Sequence, residues 1–128
     1  METSPKIIKT ESIILTQLEE DIIKITPNPS WNKVELLENA KINHAETLGM
    51  AAGKNFSLIC FLGATTISKE ARDYYKSVKP EALKVAFVTH NFFQKMIATF
   101  FIGISKLPVP TRLFSSEAEA LKWLRESK

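Results

Sequence analysis

Seven consecutive residues, Phe56-Ser57-Leu58-Ile59-Cys60-Phe61-Leu62, are apolar but for a single serine. The run is too short for a helix and has no polar alternation, so it predicts a strand buried on both faces. Such a strand needs neighbours on both edges and cover above and below, and the rest of the chain must supply them.

The flanking sequence does so in alternation. Lys9 to Leu18 is β-branched and apolar, Glu19-Glu20-Asp21 reads as a short acidic turn, and Ile22 to Thr26 alternates again, which is a hairpin signature. Pro27 and Pro29 stop the second strand, because proline cannot donate to a ladder. A helix is expected from Asn32, with Glu35 at the reciprocal position of a capping box. Its predicted apolar arc is Val34, Leu37, Lys41, Ala45 and Leu48, flanked by Leu36, Ala40 and His44, and Gly49 and Gly53 are expected to end it. After the central strand, Ser68 caps a helix to about Lys76, Leu83 to Val88 forms a strand, and Asn91 caps an apolar helix to about Ser105. Pro108 and Pro110 end that helix. Thr111 to Phe114 is a last short strand, and Ser116-Glu117-Ala118-Glu119 opens a final helix that buries Ala118, Leu121 and Leu124. The order β-β-α-β-α-β-α-β-α belongs to an α/β fold with a mainly parallel sheet.

At 128 residues, with no repeat or linker-like stretch, the chain predicts one domain over 1–128, with residues 1–8 a loosely ordered tail. One cysteine excludes an intramolecular disulfide framework and a cysteine metal cluster, and agrees with a reducing, cytoplasmic location. No secretory layout opens the chain, and no apolar run reaches the ~18 residues of a membrane span. The net charge of +3 divides into −2 over residues 1–64 and +5 over residues 65–128. Those basic residues are spread over several elements, so they read as a solvated surface and not as a nucleic-acid footprint.

Motifs that carry chemistry are missing. There is no phosphate-cradling glycine loop, no Gly-x-Ser-x-Gly elbow, no His-Glu-x-x-His and no Cys-x-x-Cys, so no catalytic, cofactor or metal residues are expected and the chain reads as a non-enzyme. His44 is expected as a neutral imidazole bonded to a neighbour, and His90 as a turn residue. Cys60 packs as a small hydrophobe. Ser68 is a candidate N-cap and, at a helix N-terminus that favours anions, a candidate phosphoacceptor.

One helix stands apart. At 100° per residue, Phe92, Phe93, Met96, Ile97, Phe100, Phe101 and Ile104 fill an arc of roughly 180°, wider than a single sheet contact requires. Burial, a self-association face and the wall of an apolar ligand pocket all account for it. A membrane span does not, because Lys95 interrupts a run of ~14 residues where ~20 are needed.

Three segments, Ile67-Ser68-Lys69-Glu70-Ala71-Arg72-Asp73-Tyr74-Tyr75, Val109-Pro110-Thr111-Arg112-Leu113-Phe114 and Glu119-Ala120-Leu121-Lys122-Trp123-Leu124, resemble a small bacterial STAS/SpoIIAA-like family of unassigned function. The resemblance runs from about Ile13 to Leu124. It implies a sheet of four to five strands flanked by helices, similar to anti-sigma-factor antagonists and, more distantly, to CRAL-TRIO lipid-binding domains. Those antagonists carry an Asp-Ser pair at the start of a helix, the serine being phosphorylated to switch partner binding. Here the corresponding positions fall near Ser68 and Lys69, and the pair is not kept. The expectation is a non-catalytic regulatory or protein-interaction domain that self-associates as a homodimer through the Phe-rich helix. A carrier or sensor of a lipid or small apolar ligand is the alternative.

Overall fold

The computed structural model describes residues 6–31, 33–61, 67–77, 82–91, 96 and 109–126. The strands are β1 (Ile7–Lys9), β2 (Ile13–Glu19), β3 (Ile22–Pro27), β4 (Phe56–Phe61), β5 (Ala82–Val88) and β6 (Thr111–Phe114). The helices are α1 (Leu37–Ala51), α2 (Lys69–Ser77) and α3 (Glu117–Arg125). All six strands form one sheet in the order β1-β2-β3-β4-β5-β6. β1 to β3 pair antiparallel, and β3 to β6 pair parallel.

The fold class is the α/β one expected, with two corrections at the N-terminus. The sheet has six strands, not four to five, and the extra one takes Ile7 and Ile8 out of the anticipated tail. Thr10 makes the difference: its Oγ1 accepts the Ile13 N–H at 3.1 Å and turns the predicted continuous strand from Lys9 into two.

Period-two alternation sends the strand residues to two separate cores. On one face Ile22, Ile59, Ala86 and Val88 pack against Ala120 and Leu124 of α3. On the other, Leu15, Ile23 and Phe56 pack against Met50 and Ala51 of α1. β4 contributes to both, as its apolar run requires. In α3 Ser116 accepts the Glu119 N–H at 3.2 Å, but it is Ala120 and not Ala118 that is buried, while Leu121 is partly so.

Helix α1 departs most from its sequence reading. It begins at Leu37, five residues after Asn32, because Glu35 is drawn into a parallel bridge with Ile67. The return half of a capping box is made by Asn39, whose Oδ1 accepts the Leu36 N–H at 2.9 Å. Gly49 stays inside the helix, and the left-handed residues that end it are Ala52 (φ 54°) and Gly53 (φ 79°). The buried side of α1 is Asn39, Ala40, Asn43, Thr47, Met50 and Ala51. Leu36, Lys41 and Ala45 of the predicted arc are exposed, as is Val34 in the lead-in.

Candidate functional site

The C-terminal ends of parallel strands are where open α/β folds place ligands. Here that edge is built by the β1–β2 turn, the lead-in to α1, and α2. Asn28 ties the first two together: its amide donates to Thr10 O at 3.0 Å, and its Oδ1 accepts the Ser30 N–H at 3.0 Å. Above this turn the inward face of α1 runs Asn39, Asn43, Thr47, each one turn from the next. Thr10 Oγ1 donates to Asn43 Oδ1 at 2.6 Å, and Asn43 Nδ2 donates to Ser12 Oγ at 2.9 Å. Asn39 Nδ2 donates to Glu11 at 3.3 Å, and Thr47 Oγ1 donates to Asn43 O at 2.7 Å. The helix is therefore held to the β1–β2 turn by a seam made of the hydrogen bonds of Asn39 and Asn43, where an apolar contact was expected, while the buried Thr47 hydroxyl is satisfied within α1.

The seam continues into α2. Tyr75 donates its hydroxyl to Glu35 Oε2 at 2.6 Å, and Glu35 is 7% exposed. Desolvation first, and then this bond to the carboxylate, hold the Tyr75 phenol well above its usual pKa. Next to it the Tyr74 hydroxyl meets His44 Nδ1 at 3.0 Å, with the rings edge-on. Both tyrosines of α2 thus reach across to α1. Some of the surface of Cys60 remains accessible, but desolvation of the thiol dominates and pushes it up to about 12. It is no nucleophile near neutrality.

Ser68 sits where the sequence reading put it, at the start of α2. Its Oγ accepts the Ala71 N–H at 3.1 Å, its N–H donates to Glu35 O at 2.9 Å, and its carbonyl accepts the Arg72 N–H at 3.0 Å. The hydroxyl is thus the cap of α2, and the backbone joins the starts of α1 and α2. On these joined segments Val34, Leu36 and Ile67 stand 43%, 55% and 38% exposed. Sequence reasoning missed the exposure of Val34 and Leu36 by assigning them to the core; the Glu35–Ile67 bridge sets their side chains on the side opposite that of Ile67.

Of the Phe-rich helix, Phe92, Phe93, Ile97, Phe100, Phe101 and Ile104 lie outside the described residues. Met96 is helical and exposed. At the opposite end of the sheet an open depression of about 460 Å³ is lined by Glu19, Glu20, Asp21, Lys54 and Asn55. Glu20 there pairs with Lys54 at 2.9 Å, and Glu19 pairs with Arg125. No group of three His, Cys, Asp or Glu suited to a metal occurs among the described residues, nor any helix long and apolar enough to cross a membrane.

A family model described as a domain of unknown function (DUF7793) matches residues 16–128. The chain belongs to the DUF7793 family. This DUF7793 chain is similar in structure to an uncharacterised protein of the DUF3478 family with a SpoIIAA-like fold from Shewanella loihica PV-4. The TM-score is 0.60 at 14% identity, covering 94% of this chain and 92% of that one. That likeness is one of fold, and it matches the STAS/SpoIIAA-like resemblance read from the sequence. A protein of unknown function from Arthrobacter sp. FB24 aligns at 21% identity over 88% of this chain and 99% of that one, with a TM-score of 0.33. No curated protein matches the chain.

Proposed function

We propose that this DUF7793 chain is a non-catalytic regulatory or protein-interaction domain that self-associates through the exposed apolar side chains leading into α1 and α2. One observation carries the reading. The polar groups at the ligand-binding edge are spent on each other, while Val34, Leu36 and Ile67 are left in solvent directly beside them. An active site keeps donors and acceptors open for substrate. Interfaces instead combine an exposed apolar patch with a rigid support. The support here is the Ser68–Glu35 backbone bond, which joins the two helix starts, and the Glu35–Tyr75 contact, which ties the last turn of α2 to the same residue. In this reading Ser68 acts as the α2 cap, and the free Cys60 thiol suits a cytoplasmic setting.

Sedimentation velocity over a wide range of concentration tests it. The wild-type chain should pass from monomer to dimer as concentration rises, and Leu36→Glu together with Ile67→Glu should hold it monomeric with an unchanged circular dichroism spectrum. A wild-type chain that stays monomeric throughout, or a dimer that both charges leave intact, overturns the reading.

A further inference from the structure

The last strand of the sheet carries a second, unrelated surface. β6 pairs with β5 alone among the described strands, so among the described residues its other side is a sheet edge. Pro110 O accepts the Val85 N–H at 2.9 Å, and Phe114 O accepts the Thr89 N–H at 3.1 Å. Strand alternation therefore turns the backbone groups of Arg112 toward β5 as well, and those of Thr111 and Leu113 outward. Among the described residues, these outward N–H and C=O groups have no partner. An unpaired edge of this kind is a template for another strand.

Beside that edge lies an uncompensated positive charge. The Arg112 guanidinium sits 5.4 Å from the Phe114 ring and 5.6 Å from the Trp123 ring. Lys84 Nζ is 4.5 Å from the same indole and donates to Trp123 O at 2.8 Å. Neither cation is in an ion pair among the described residues, and Glu119, one turn before Trp123, pairs with neither. The aromatic rings hold the guanidinium in place without neutralising it. It stands exposed on the α3 side of the edge strand, at the position that would face a side chain of an added strand.

We propose that the edge of β6 takes up an extended acidic peptide segment of a partner protein as a seventh strand, with Arg112 meeting one of its carboxylates. Main-chain bonds to Thr111 and Leu113 would hold the segment, and the charge would select it. A second copy of the chain fits this edge less well. The two-fold antiparallel pairing that uses Thr111 and Leu113 of both copies sets Arg112 opposite Arg112, and like charges directly opposite repel. A nucleic-acid strand would meet the cations but leave the backbone groups unpaired. The proposal uses different residues from the self-association surface at Leu36 and Ile67, so either can fail without the other.

Amide-resolved NMR on the full chain tests it, using two end-blocked hexapeptides in which valine alternates with glutamate or with lysine. The glutamate peptide should slow hydrogen exchange at the Thr111 and Leu113 amides and bind roughly fivefold or more tighter than the lysine peptide. Arg112→Glu should reverse that order. Thr111→Pro should abolish binding while keeping the fold, because it removes an outward N–H and the local hydroxyl bond to Val109 O but no bond to β5. Equal binding of the two peptides, no binding of either, or shifts that map away from β6 would overturn the proposal. So would protection of both amides by concentration alone, which would assign the edge to a second copy. A short single-stranded oligonucleotide that shifts Arg112 and Trp123 more than the glutamate peptide does would overturn it as well.

Discussion

The two faces of the sheet are covered by helices attached in different ways. α3 is held by Ala120 and Leu124 over Ile22, Ile59, Ala86 and Val88, an apolar contact that needs no directional bond. α1 keeps Met50 and Ala51 for its own core but places Asn39, Asn43 and Thr47 inward along the rest of its length. An apolar face tolerates small rotations of a helix, since area counts and orientation does not. A seam of short hydrogen bonds admits one geometry, and each group that loses its partner stays buried and unsatisfied. The difference fits what each helix does. α3 closes the fold, whereas α1 has to hold its lead-in, with Val34 and Leu36, at a fixed place beside the segment that carries Ile67.

Substitutions on the two sides should separate these modes. The largest effect is expected on the apolar face: Leu124→Ala, at a side chain 2% exposed, should cost about 2–5 kcal/mol in denaturant unfolding. Next comes the seam. Asn43→Ala takes the partner of the buried Ser12 hydroxyl and one of the bonds of Thr10, and should cost about 1–3 kcal/mol, more than the size of the deletion suggests. If Asn43→Ala proves neutral by the same unfolding measurement, α1 is held by Met50 and Ala51 and the distinction between the faces dissolves.

Alkaline titration of stability probes the layer between them. The folded Cys60 thiol is raised from 9.0 to about 12, so above pH 9 the unfolded chain loses this proton while the folded chain keeps it. The thiol's contribution is whole below pH 9 and is lost as pH rises toward 12. Cys60→Ala should flatten that part of the stability curve, and an unchanged slope would contradict the burial assigned to the thiol. The smallest effect belongs to the exposed Lys54–Glu20 pair, where Lys54→Met should change stability by no more than about 1 kcal/mol.

Much of the fold was legible because apolar period and turn chemistry decide it. The run at Phe56, the strand at Thr111–Phe114 and the Ser116 cap all stand where these rules put them. The face of α1 was not, because apolar residues were given the inside by default. A second signal was present. Glu38 and Lys41 are strongly solvated positions of that helix and lie on the side opposite Asn39, Asn43 and Thr47, whose short neutral side chains are the kind that tolerate burial when bonded. The Tyr75–Glu35 contact had no such signal. It joins residues 40 positions apart, and only the bridge between Glu35 and Ile67 makes them neighbours. The extra strand β1 escaped for a local reason, since nothing apolar in residues 7–18 marks the turn that Thr10 makes.

A polar seam fixes the lead-in of α1 against α2, and the Tyr75–Glu35 contact joins that lead-in, through a buried carboxylate, to the last turn of α2. A double-mutant cycle on Tyr75→Phe and Glu35→Met, read by two-state chemical unfolding, isolates that link from the change in size at either position. The account predicts a coupling energy of about 1–3 kcal/mol, with most of the loss already present in either single variant. Additive losses, within about 0.5 kcal/mol, would show that the two side chains act independently and would contradict it.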